Sequence, residues 1–241
     1  MNRVFRIAQR EFAAFFNSPV AYVVLGVFLA LCGVLFFFFG PLFIRNDASL
    51  RSFFGLMPVV FMFLAPAVTM RLVAEERKRG TIEGLLTLPV REWEVVAGKF
   101  LGALGMVLVG LAFTLPYPLS LAALTAPQVS LDWGPVIGGY VGSILLAASF
   151  IAVGLWASAL GKDQIVGFIV GLAVCFALWI PDQVSIFFPE TLGAALQFLS
   201  ANFHFQNIAR GVIDSRDVLY YVTVTATGLI GTTRLLENVR K

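Results

Sequence analysis

Charge is what this chain has least of. Only 13% of its 241 residues are Asp, Glu, Lys or Arg, whereas 59% are hydrophobic. A soluble domain carries roughly 25% charged and about 45–50% apolar residues. The shortage excludes a water-soluble globule, because there is too little polar surface to cover one, and a bilayer is the solvent that fits. Cysteine is nearly absent, and Cys32 and Cys175 both fall inside long apolar runs, where thiols pack and no disulfide is expected. The single histidine, His204, has no second histidine or cysteine near it, so neither a metal site nor histidine catalysis is expected. No carboxylate or histidine sits in the middle of an apolar run; Lys99 and Asp182 lie at run ends. That weighs against a proton-coupled secondary transporter, a channel or an intramembrane protease. The phosphate-cradling pattern Gly-x-x-x-x-Gly-Lys-Ser/Thr is missing too. Its nearest approach, Gly161-Lys162, has Trp156 for the first glycine and Asp163 for the hydroxyl. No ATP hydrolysis and no cofactor are expected of such a chain. Its net charge of +3 comes from scattered bases without interleaved aromatics, which rejects nucleic acid as a partner.

What the chain does have is a series of charge-poor intervals, each near the length a helix needs to cross hydrocarbon. They predict an all-α integral membrane protein forming one domain over 1–241, with six spans at 20–40, 53–70, 95–124, 135–160, 165–181 and 218–235. Pro116 and Pro118 predict a kink or early end in the third. The sixth has only 16 uncharged residues, Val218 to Thr233. At 1.5 Å per residue that covers about 24 Å, so Arg234 must snorkel or the bilayer must thin. Gly98/Gly102, Gly138/Gly142 and Gly167/Gly171 are small residues four apart, which permits close helix approach. Thr114, Ser120, Ser143, Ser149 and Ser158 are the side chains read as offering a polar path through the spans, a thin one.

Orientation follows from Lys and Arg. With the N-terminus inside, Arg3, Arg6, Arg10, Arg71, Arg77, Lys78, Arg79, Arg91, Lys99, Lys162, Arg234, Arg240 and Lys241 all lie on the cytoplasmic side. Only Arg45, Arg51, Arg210 and Arg216 lie outside, a bias of thirteen to four that puts both termini in the cytoplasm. The apolar run after Arg10 has no small-residue cleavage site, so the first span is expected to stay rather than be removed as a signal peptide.

Three elements lie outside the spans. Over residues 1–17, Val4, Phe5, Ala8, Phe12, Phe15 and Phe16 share one helical arc, opposite Arg3, Arg6 and Arg10. This describes an interfacial helix anchored by Phe12 and by those arginines at lipid phosphates, with an ordinary basic flank as the alternative. Over 183–217, Phe188, Leu192, Leu196, Leu199, Phe203 and Ile208 recur at helical spacing among residues too polar to span. They predict one or two external amphipathic helices, opened by Pro189 and closed by Gly211.

The third element, 71–92, carries the chemistry. Span two is expected to continue to Arg79, Gly80 to take a left-handed turn, and Thr81 to cap a short helix. Ile82, Leu85 and Leu86 give that helix an apolar face, and Pro89 stops it. Glu92 and Glu94 suit the N-terminus of span three. From Arg71 to Lys99 five acids accompany six bases, a mixed pattern that a purely topological charge run does not require.

The residues Glu75-Glu76-Arg77, Gly80-Thr81-Ile82-Glu83, Leu85-Leu86 and Pro89-Val90 resemble the coupling-helix signature of ABC-2 type transporter permeases. The six-span layout with interfacial and external helices resembles that family over the whole chain. Within it, the gliding-motility-associated and nitrous-oxide-maturation permeases look nearest, and Gly211-Val212-Ile213-Asp214-Ser215-Arg216-Asp217 is similar to the former. The resemblance implies a permease in the bacterial cytoplasmic (inner) membrane, exporter-like, that couples a dimeric cytoplasmic ATPase to substrate movement. It also implies a second permease copy or paralogue and allows an accessory membrane or extracytoplasmic protein. Glu75, Glu76, Arg77, Gly80, Thr81, Ile82, Glu83, Leu85, Leu86 and Pro89 would then form or position the ATPase contact. A different reading stays open, an anchoring protein that recruits a cytoplasmic ATPase without moving cargo.

Overall fold

The computed structural model describes residues 2–37, 50–80, 91–124 and 132–240, and these are helical almost throughout. Inside a bilayer no water is available to bond backbone amides, so each spanning segment must satisfy its own, as a helix does. An amphipathic helix α1 (Asn2–Phe16) meets α2 (Pro19–Phe37) at a bend of 76°. α3 (Arg51–Thr69) runs on through an irregular turn into α4 (Ala74–Lys78). α5 (Glu92–Ala112) is broken from α6 (Pro116–Leu124) ahead of Pro116, as the two prolines predict. Then come α7 (Trp133–Leu160), α8 (Gln164–Val184), a short 3-10 turn, α9 (Glu190–Leu199), α10 (Ala201–Ala209) and α11 (Ser215–Arg240). α9 and α10 fall in the stretch 183–217, where the sequence predicts one or two amphipathic helices, and Gly211 does take a positive φ of 91°.

Among the described residues, four stretches are long and apolar enough to cross a membrane: Arg51–Lys78, Glu92–Ala123, Trp133–Leu160 and Gln164–Phe187. The bent pair α1–α2 makes a fifth if it is one broken span. The sixth interval behaves differently. α11 is long, but Arg216, Asp217, Arg234, Glu237 and its threonines leave it too polar to qualify by composition.

α7 is the axis of the bundle, and α3, α5, α8, α10 and α11 all pack on it. Glycines make the approach possible. A Cβ on Gly138 would strike the Ile208 carbonyl, one on Gly139 the Phe54 ring, and one on Gly154 the Thr69 hydroxyl. Gly167 sits against Ser158, and Gly171 against Pro66, Ala157 and Gly154. On α5, Gly98 and Gly102 receive Ile7 and Glu11 of α1. All three glycine pairs singled out in the sequence are therefore helix contacts. Cys32 and Cys175 are buried and unbonded to each other.

α1 is rotated relative to the sequence expectation. Its buried edge holds Ala8 and Phe15, with Ile7, Glu11 and Phe12 against the α5 glycines, while Phe5 is 69% exposed. The face was read as apolar enough for lipid, but α5 offers a glycine groove that packs it more closely. Arg3, Arg6 and Arg10 stay on the exposed side as expected.

Candidate functional site

A helix that breaks leaves backbone groups that need partners. At the turn from α3 to α4 one residue supplies them. The Ser158 hydroxyl donates to the Met70 carbonyl (2.8 Å) and accepts from the amides of Val73 (3.3 Å) and Ala74 (3.2 Å). A hydroxyl has one proton and two lone pairs, so Ser158 is fully used. The neighbouring Ala159 carbonyl receives the Arg77 guanidinium. Lys78 reaches Asp163, beyond the end of α7, at 3.1 Å. The described part of the 71–92 segment is thus stitched to the C-terminal end of the axial helix.

Its other side is tied to α1 and α5. Lys99, in the second turn of α5, is 1% exposed, and its ammonium lies 2.6 Å from Glu76 Oε1 and 3.3 Å from Glu11 Oε1. A charge this deep is stable only when paired and hydrogen-bonded. Arg71 donates to the Ser18 hydroxyl (3.3 Å) and stacks over Phe15 at 4.9 Å, at the corner between α1 and α2. These groups border a cleft of about 490 Å³, into which Glu11, Glu75 and Glu76 bring three negative charges and Arg71, Arg79 and Lys99 three positive ones. The cleft is a balanced electrostatic joint. It offers no nucleophile paired with a base, and no cluster of three or more histidine, cysteine or acidic ligands occurs among the described residues.

Of the proposed coupling residues, Glu76 and Arg77 are spent on internal bonds. Glu75 pairs with Arg79 one turn on, which leaves Lys78 and Arg79 as the exposed side chains of this stretch. Gly80 has φ of 69°, the left-handed conformation that the sequence assigned to it, and the helix does end there. Thr81, Ile82, Glu83, Leu85, Leu86 and Pro89 lie outside the described residues. Beyond them α5 opens at Glu92, and the Glu94 carboxylate accepts from the Arg91 amide at 2.9 Å, a capping contact.

Sequence reasoning missed Lys99, Glu11 and Ser158 as members of this site. Lys99 was a span-end charge and Ser158 a path-lining hydroxyl, because nothing in a linear sequence says that they meet residues 71–80. One signal was available, since lysine followed by an apolar run is costly without a partner. Of the other path candidates, Thr114, Ser143 and Ser149 are buried and Ser120 is exposed. Ser143 bonds to Gly139, Ser149 to Leu146 and Ser120 to Tyr117, each through a carbonyl on its own helix. Thr114 bonds to Leu111, while its own carbonyl, at the break between α5 and α6, accepts from Tyr140 at 3.0 Å.

No curated protein matches the chain. A family model described as "ABC-2 family transporter protein" matches residues 6–213, from α1 through the stitched segment to the turn after α10. With most of its length matched, and with several helices able to cross a bilayer, this multi-pass membrane protein belongs to the ABC-2 family of transporter proteins, membrane subunits that in general work with an ABC ATPase.

Proposed function

We propose that this chain is the permease subunit of an exporter-like ABC-2 transporter, and that residues 71–92 take up the motion of a partner ATPase dimer. One observation carries the reading: the stretch from Arg71 to Lys78 is bonded at once to the corner between α1 and α2, to α5, to the end of α7 and to the turn before α8. A push on it cannot be absorbed locally, because three spans and the interfacial helix move with it. Gly80 to Pro89 form the contact itself, with Thr81 as cap, Ile82, Leu85 and Leu86 as the apolar face, and Glu83 toward a basic partner surface.

In this reading six spans cross the inner membrane of a bacterium with both termini in the cytoplasm. α11 is the sixth, since its 26 residues cover about 39 Å at 1.5 Å per residue and it lies along α7. The buried hydroxyls of Thr114, Ser143, Ser149 and Ser158, all bonded within the chain, support a pathway between two permease copies, or a copy and a paralogue, rather than one within a single chain. They equally favour the second reading, an anchor that recruits the ATPase without moving cargo.

The experiment combines pull-down of the neighbouring-frame ATPase with ATPase stimulation in liposomes, using wild type and Gly80→Val/Glu83→Arg. The permease alone should hydrolyse no ATP. The variant should insert normally, yet bind the ATPase less or fail to stimulate it. Unchanged binding and stimulation would show that the segment only sets topology.

A further inference from the structure

Of the four basic residues on the charge-poor side of the membrane, the fold brings three to one place. Arg51 opens α3, Arg210 follows the last residue of α10, and Arg216 sits in the first turn of α11. They border two adjoining hollows of about 400 and 230 Å³, and Arg210 lines both. Phe198, Phe203 and Asn207 complete the larger hollow together with His204, Asp214 and Asp217. The place is at the far end of the bundle from the 71–80 segment. α10 packs on α7 at Gly138 and Gly142, and Ser158 lies some 30 Å further along that helix at about 1.5 Å per residue.

The acids here do not cancel the arginines. His204 Nε2 lies 2.9 Å from the Phe198 carbonyl, which can only accept, so Nε2 carries a proton. Nδ1 lies 2.6 Å from Asp217 Oδ1, and one proton is shared between them. Whichever atom holds it, the buried pair has no net charge, and neither ring nitrogen is free for a metal. Asp214 accepts from the Arg216 amide at 3.0 Å and from the Ser215 hydroxyl, and the first of these holds its carboxyl below the usual range. That leaves the guanidinium groups of Arg210 and Arg216 against one carboxylate, that of Asp214. Neither Arg210 nor Arg216 closes a salt bridge with a described residue, so their planar donor forks remain for an anion.

We infer that this hollow binds the phosphate of a phospholipid headgroup from the adjoining leaflet. Phosphate chemistry follows from the arginines, and the lipid source follows from the rim. Val212 is 66% and Ile213 54% exposed directly beside the arginines, and Phe198 is 59% exposed at the hollow's edge. Gly211 packs on Gly134 next to Trp133, which opens α7. Exposed aliphatic and aromatic side chains at a span end, with Trp among them, mark the headgroup level of a bilayer. The inference stands apart from the coupling reading and needs no ATPase.

The test is native mass spectrometry of the full chain released from detergent. Wild type, Arg210→Gln/Arg216→Gln and a control at the other end of the bundle, Arg91→Gln/Lys162→Gln, are each incubated with dioleoyl phosphatidylglycerol, dioleoylglycerol or inorganic phosphate. Wild type and the control should retain phosphatidylglycerol about tenfold better than the Arg210/Arg216 variant, as the loss of charge-assisted bonds implies. Dioleoylglycerol should show no such difference. Equal phosphatidylglycerol retention by all three proteins overturns the site. Retention of inorganic phosphate that displaces the lipid and disappears in the variant overturns the lipid assignment in favour of a soluble anion.

Discussion

Replacing Lys99 with methionine keeps the unbranched stem and removes the ammonium, which makes it a direct test of the joint. Lys99 is 2% exposed at the side chain, Glu11 12% and Glu76 22%. Removing one partner of a buried ion pair costs about 3–5 kcal/mol, because the other charge is left without compensation. Both carboxylates keep some contact with solvent, so the low end applies, about 3 kcal/mol. Glu76→Gln should cost less, since Lys99 keeps Glu11. The triple variant Lys99→Met/Glu76→Gln/Glu11→Gln should recover most of the loss, because no charge remains unpaired. In a cycle of Lys99→Met and Glu76→Gln the coupling energy should be about 2 kcal/mol. Denaturation of the purified protein in mixed micelles measures stability. A second readout isolates the joint: maleimide labelling at Ala8→Cys, on the buried edge of α1, should quicken in the Lys99→Met background as α1 lifts from α5. Additive effects in the cycle, together with unchanged labelling, would refute the account of Lys99 as the tie between α1 and the 71–80 segment.

Two further expectations are simpler. Gly154→Leu should destabilise by about 1–3 kcal/mol or more, because its Cβ would meet Thr69 and Pro66. Gly26→Leu, with nothing within 4 Å, should be close to neutral in the same denaturation assay. For topology, Lys78→Cys should react with an impermeant maleimide only after permeabilisation and Glu190→Cys without it; the reverse pattern would invert the orientation.

By itself the sequence determined those features that local chemistry dictates. The apolar intervals set most helices, since a bilayer permits little else there. Pro116 and Pro118 set the break between α5 and α6, Gly80 and Gly211 the positive-φ turns, and Pro189 the start of α9, because each depends on its own backbone or that of its neighbours. The family was legible for the same reason: the charged, glycine-containing segment after span two is contiguous. Only the tertiary structure decided the partners of those residues. Lys99 and Glu11 are far apart in sequence and meet because Gly98 and Gly102 let α1 settle onto α5. Ser158 reads as any span hydroxyl until the turn at 70–73 brings it two amides and a carbonyl. His204 looked like a lone histidine until the first turn of α11 carried Asp217 to 2.6 Å from it. Hydrophobic periodicity fixes how far a helix runs and roughly which face is apolar. Which neighbour that face meets is decided by small residues and buried charges, whose energies exist only once two helices are in contact.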